Sequence, residues 1–177
     1  MTNLFMADNK FTVTIPSDIG NLQKVQWLHL SRNRLSGRLP ITLENLSLLN
    51  YLSIDNNKLR GTITSSIGNC QNFLLLNLSE NNLTAGTIPK QLFTISMLSI
   101  SLNLAQKSFV GSVPSEVRNL VHLVELVLFE NKLFGEIPSN LGHCTSLQYL
   151  FHEWQFLSRS NPNTLDFFER CWRHRSF

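Results

Sequence analysis

An asparagine recurs along this chain with a fixed step. Asn9, Asn33, Asn57 and Asn81 are separated by 24 residues each; a step of 26 then reaches Lys107, and the interval returns to 24 at Asn131 and Gln155. Around each position lies one template, L-x-x-L-x-L-x-x-N-x-L-x-G-x-I-P-x-x-L-G-x-L. It is most complete at Leu126, Leu128, Asn131, Leu133, Gly135, Ile137, Pro138, Leu141 and Gly142. A unit this short cannot bury its own apolar face, so the copies must stack into a solenoid with one long side surface. Such a surface points to binding rather than catalysis.

The apolar residues keep the same step. The pairs Leu28/Leu30, Leu52/Ile54, Leu76/Leu78, Leu102/Leu104 and Leu126/Leu128 alternate as in a strand, with inward side chains separated by outward ones. Leu4/Met6 open the series and Leu150/His152 close it imperfectly. Each repeat therefore supplies one strand of a parallel sheet, while positions such as Ile15, Ile19 and Leu22 fill the opposite, helical side of the coil. The expected architecture is an α/β repeat solenoid of about seven units over residues 1–157, with a divergent tail at 158–177.

The template residues have physical roles. An asparagine at the end of the strand meets backbone groups that lose their ladder partners where the chain turns, and its amide can both donate to and accept from them. Lys107 accepts nothing and is costly to bury, so its ammonium is expected to swing outward. Gly37, Gly61, Gly86, Gly111 and Gly135 supply backbone freedom after the N-x-L leucine, and Val13 departs from this pattern. A proline follows at 16, 40, 89, 114 and 138, fixing the chain, whereas Ile63–Thr64 lacks it. The long step has two sources, one extra residue at Thr84–Ala85 and one between Leu98 and Leu102. Solenoids place insertions in loops, so the stack should continue through both.

Fifteen basic against twelve acidic residues give a formal net charge of +3, too mild for a nucleic-acid partner. Cys70 and Cys144 hold equivalent positions three repeats apart, about 14 Å at strand spacing. A disulfide tolerates no more than about 7 Å between Cα atoms, so free buried thiols are expected. Cys144, His152, Cys171 and His174 match no zinc spacing, and the adjacent His143 and Cys144 are poorly placed to act as base and nucleophile. No metal, cofactor or catalytic group is expected.

The functional signal is the set of outward strand positions, which stack into columns. The candidate ligand-binding residues are Trp27, His29, Arg32, Tyr51, Asp55, Glu80, Glu125, Phe129 and Glu130. Exposed rings interleaved with charges are how binding surfaces are built, rings supplying area and charges orientation. The competing reading is that these are solvated sheet positions. Sequons stand at Asn45, Asn77 and Asn82, and they suit a secreted chain but arise readily in a repeat rich in Asn and Ser. Asn45 falls on the helical side; Asn77 falls on the concave sheet, where a sugar and a ligand exclude each other.

The L-x-G-x-I-P half of the unit, in Ser65–Cys70, Leu76–Leu83 and Gly135–Ser139, resembles the plant-specific class of leucine-rich repeats. From Leu4 to Leu157 the chain is similar to ectodomains of plant receptor-like kinases, particularly the immune-receptor type. The resemblance implies a right-handed superhelix with a concave parallel sheet. It also implies a peptide or protein ligand, a possible co-receptor, and a place on the extracellular face of the plasma membrane. The family's signal peptide, paired-cysteine caps, membrane helix and kinase are not found in these residues. The chain is therefore expected to be a non-catalytic, uncapped fragment that does not itself insert into a membrane. Alternatives are a stand-alone secreted repeat protein of the wall-enzyme-inhibitor type, or the non-functional product of a truncated receptor gene. Uncapped ends expose apolar side chains and strand edges, so marginal stability or self-association is expected. The arginine- and aromatic-rich tail either packs over the last coil or stays disordered.

Overall fold

The computed structural model describes residues 2–83, 86–105 and 109–151. The insertion at Thr84–Ala85, the fate of Lys107, position 155 and the tail all lie outside the described residues. Within them run twelve strands. The first six are β1 (Asn3–Phe5), β2 (Trp27–His29), β3 (Ser36–Gly37), β4 (Tyr51–Ser53), β5 (Lys58–Gly61) and β6 (Leu75–Asn77). They are followed by β7 (Asn82–Leu83), β8 (Ser101–Asn103), β9 (Val110–Gly111), β10 (Glu125–Val127), β11 (Lys132–Leu133) and β12 (Tyr149–Phe151).

Seven strands form one parallel sheet in the order β1-β2-β4-β6-β8-β10-β12. Its register never slips. Leu28 pairs with Leu52, Leu52 with Leu76, Leu76 with Leu102, Leu102 with Leu126 and Leu126 with Leu150. A slip of one residue would turn every leucine to solvent, which is why the core holds the register so firmly. The extra residue before Leu102 is absorbed ahead of the strand. Ser99 and Ile100 donate to the Leu74 carbonyl in place of the following pair, Ile100 is left 41% exposed, and Ser101 still pairs with Leu75.

The central leucines of β2, β4, β6, β8 and β10 join one continuous core with Val25, Leu49, Phe73, Leu98, Leu123 and Leu147 beneath them, and the half-buried Leu4 and Leu150 of the end strands pack against it. The opposite side of each coil is a single five-residue turn: Ser17–Asn21, Ile41–Asn45, Ser65–Asn69, Lys90–Thr94, Ser115–Asn119 or Ser139–His143. All six are 3₁₀ rather than α, which refines the expected helical side. Two extended arms consume most of a 24-residue unit, and so short a remainder suits the tighter 3₁₀ turn. Residues 16, 40, 64, 89, 114 and 138 precede these turns in extended backbone, and Thr64 reaches φ −77° and ψ 151° without being proline. Neighbouring turns nearly touch; a Cβ on Gly20 would lie 2.6 Å from the Thr42 carbonyl oxygen, so only glycine permits the stacking.

The recurring asparagine works as a column. Asn57 Nδ2 donates to the carbonyls of Leu30, Ile54 and Asp55 at 3.0–3.1 Å, and its Oδ1 accepts from Leu35 N at 2.9 Å. Asn33, Asn81 and Asn131 repeat the arrangement, each tying its own turn to the coil before it. The residue ahead of each asparagine is left-handed: Asp8, Arg32, Asn56, Glu80 and Glu130 have φ between 51° and 57°. That conformation is unusual away from glycine. It is held here by coil-to-coil bonds such as Arg32 N to the Asp55 carbonyl at 3.0 Å. Beyond this corner the sequence reading did not foresee a second pairing along the flank. β3, β5 and β7 form one short parallel sheet and β9 with β11 another.

Candidate functional site

The concave face carries the columns expected from the 24-residue step. Along the first, Trp27 aligns with Tyr51, Tyr51 with Leu75, Leu75 with Ser101, Ser101 with Glu125 and Glu125 with Tyr149. Residues on one face of paired strands sit close enough to touch, so the columns become side-chain clusters.

The largest is aromatic. The Trp27 and Tyr51 rings stack with centroids 3.7 Å apart and planes 20° from parallel. Phe5 meets Trp27 edge-on at 6.3 Å and His29 edge-on at 6.4 Å. Trp27 is 40% exposed and Phe5 61%, so this is an apolar platform open to solvent. Phe5 was not among the expected site residues, although it stands one period ahead of His29 and pairs with it across β1 and β2.

Beside the rings lies a polar hub. Asp55 Oδ1 accepts from Ser31 Oγ at 2.5 Å, Ser53 Oγ at 2.7 Å and Asn77 Nδ2 at 3.0 Å. Asn77 Oδ1 in turn accepts from Ser79 N and Ser79 Oγ. Asn77 is therefore half-buried with both ends of its amide engaged, a poor acceptor for sugar. Asn45, at the end of its 3₁₀ turn, and Asn82, in β7, are exposed.

At the left-handed corner Arg32 forks onto Asp8, Nε to Oδ1 at 2.5 Å and Nη2 to Oδ2 at 2.8 Å. This hydrogen-bonded pairing lowers the Asp8 carboxyl pKa from its ordinary value and raises that of Arg32. Asn56 Nδ2 donates to Glu80 at 2.8 Å one coil further on. Arg32, Glu80 and Glu130 thus stand on the rim of the concave face rather than on its strands.

The far half of the wall is different. Val127, read from the sequence as outward-facing, is only 4% exposed, and Ala105 and Ser101 are also buried. Ser101 Oγ donates to Glu125 at 2.5 Å, while Glu125 and Phe129 are half-buried. Of the nine expected residues, the fold brings Trp27, His29 and Tyr51 into the aromatic platform and sets Asp55 beside it. Glu125, Phe129 and Glu130 belong to a separate region three coils away.

Two of the cysteines are structural. Cys70 and Cys144 are free and buried, with Sγ donating to the carbonyls of Leu43 and Val117. Burial pushes both thiols up to about 11. His143 Nδ1 instead contacts the Asn140 carbonyl at the exposed side of its turn, so it does not serve the neighbouring thiol. Among the described residues no group of three or more His, Cys, Asp or Glu side chains could hold a metal ion. Nor is any helix there long and apolar enough to cross a membrane.

Comparison with known proteins follows the same lines. Receptor-like protein 35 of Arabidopsis thaliana is 37% identical over 150 residues, 85% of this chain and 13% of that relative. The ectodomain of the Arabidopsis receptor kinase GASSHO1/SCHENGEN3, solved in complex with CASPARIAN STRIP INTEGRITY FACTOR 2, superposes with a TM-score of 0.81 and 33% identity. That match covers 87% of this chain and 18% of that one. The Arabidopsis receptor kinase HAESA, solved with the peptide hormone IDA and the co-receptor SERK1, gives 0.68 at 26% identity over 88% of this chain and 30% of that one. The chain spans well under a fifth of the curated relatives' length. The model of the Leucine Rich Repeat matches residues 1–22, 24–46, 48–70 and 122–144, more than half of the sequence, and the chain belongs to that family.

Proposed function

We propose that this chain is the recognition part of a plant receptor, binding an extended peptide or protein ligand on its concave sheet. The observation that carries the reading is the Trp27–Tyr51 stack, solvent-open on a seven-stranded face with no covering element among the described residues. Exposed aromatic anchors beside oriented polar groups are the composition of binding hot spots. Structural relatives with peptides and a co-receptor in their complexes support the same use of the fold. On this reading the nine candidate residues and Phe5 are ligand contacts. A co-receptor joins the complex, residues 1–157 form the recognition unit, and the parent is an immune-type receptor at the extracellular face of the plasma membrane.

The test is panning of a displayed random-peptide library on the purified chain. Trp27→Ala with Tyr51→Ala should weaken the selected peptides at least about tenfold, the loss expected of a hot spot. Ile41→Glu on the 3₁₀ side should leave them unchanged. Peptides sensitive only to Ile41→Glu would overturn the concave assignment. Mass analysis of chain secreted from a eukaryotic host tests the location: sugar is expected on Asn45 and Asn82 and absent from Asn77. Bare Asn45 and Asn82 would remove the sequons as support.

A further inference from the structure

The ladder asparagine divides two electrostatic faces. The residue before it supplies Asp8, Glu80 and Glu130 to the concave rim, and the residue after it supplies Lys10, Arg34, Lys58 and Lys132 to the flank. Lys58 and Lys132 stand in the flank strands β5 and β11, exposed. On the concave face and its rim, among the described residues, the carboxylates of Asp55, Glu80 and Glu125 have no basic side chain in a salt bridge, whereas Arg32 is matched to Asp8. Although the chain carries a formal charge of +3, the described part of its open side is therefore lined by carboxylates.

The wall also has an oriented acceptor. Three donors lock Asp55 Oδ1, which fixes the carboxylate plane, and Oδ2 has no partner among the described residues. A preoriented carboxylate suits a guanidinium or ammonium, since charge-assisted bonds of this kind are the strong ones and little ordering remains to be done. The Tyr51 ring lies four residues back along the same strand direction, about 13 Å at strand rise. The solvent-open surface of the Trp27–Tyr51 stack receives either a second cation or an apolar side chain.

Resting on the concave-binding reading above, we infer that the occupant of this sheet face is an extended, basic polypeptide segment with one cationic side chain on Asp55 and another residue over the Trp27–Tyr51 rings. Charge complementarity selects this partner: an acidic segment would meet like charge along the rim, which costs affinity and slows encounter. The basic flank lies on the other side of the asparagine column and stays outside the contact.

The experiment uses two nonapeptides on the full chain, one alternating Arg and Gly, the other alternating Glu and Gly, each carrying a benzophenone photolabel. The Arg peptide should bind at least about tenfold tighter at low salt, with the gap shrinking as salt is added. Its label should map to β2, β4 or β6. Asp55→Asn with Glu80→Gln should collapse the preference to under about threefold, while Arg34→Gln with Lys58→Gln on the flank leaves it intact. Equal affinity with labels still on the concave strands would overturn the basic-ligand inference and leave concave binding standing. A tighter Arg peptide whose label maps to the flank or to the 3₁₀ turns would overturn both. Retained far-ultraviolet dichroism in the variants separates lost binding from lost fold.

Discussion

The two ends of the concave wall share a backbone and differ in almost everything laid upon it. Toward β1, β2 and β4 the outward positions form an open platform of rings beside an aspartate held through one carboxylate oxygen by three donors. Toward β8 and β10 they are small or sunken, with Ala105, Ser101 and Val127 buried. The ladder differs too. Asn33 and Asn57 are 7% and 8% exposed, whereas Asn81 and Asn131 are only half-buried. Regular stacking sets where side chains stand; it leaves each coil free in what it offers a partner.

Breaking the core that both ends share should have the largest effect. Phe73 is wholly buried where other coils carry Val25, Leu49, Leu98, Leu123 and Leu147. Phe73→Ala is expected to cost about 3–5 kcal/mol through the cavity it leaves. Thermal or urea unfolding should show the loss in both ends at once. A loss confined to neighbouring coils would mean that the ends unfold independently.

Removing one ladder amide sharpens the comparison. Asn57→Ala strands three carbonyls and the Leu35 N–H in a dry corner, on the order of 3 kcal/mol. Asn131→Ala exposes equivalent groups to nearby water and should cost less. Hydrogen exchange at the flanking amides reads both, and equal losses would show that the half-burial of Asn131 is immaterial.

The thiols test both ends by pH. Cys70 and Cys144 are held near 11 by burial, against an ordinary value of 9.0. The folded chain therefore keeps these protons more tightly than the unfolded one. Their stabilising contribution is complete below pH 9 and declines as pH rises toward 11. At pH 8 both should resist alkylation until denaturant is added, and rapid labelling of either in the native chain would contradict its burial.

The smallest effect is a gain. Thr64 holds the backbone that five prolines hold elsewhere, so Thr64→Pro should stabilise by about 0.4–1 kcal/mol by restricting the unfolded chain. A melting curve suffices, and destabilisation would show that the Thr64–Ser66 hydroxyl contact at 2.8 Å outweighs that restriction.

Much of this was legible beforehand because a repeat multiplies each weak signal. One asparagine at a strand end says little, but the same residue at Asn9, Asn33, Asn57 and Asn81 predicts a column, and the column is there. The flank sheets escaped notice because Ser36–Gly37 and Asn82–Leu83 are too short to show alternation. The hub at Asp55 escaped for another reason. Ser31, Ser53 and Asn77 lie on three coils and converge only once the strands are in register.

Period and alternation in the sequence alone determined that this chain winds, that its leucines face inward and that its outward residues stand in columns, since an apolar face repeated every 24 residues has no other way to leave water. The tertiary structure decided which outward residues remain open, which carboxylate is locked by its neighbours and which side of the asparagine column carries each charge. Those depend on distances between coils, and distances between coils are set by packing rather than by any one stretch of chain.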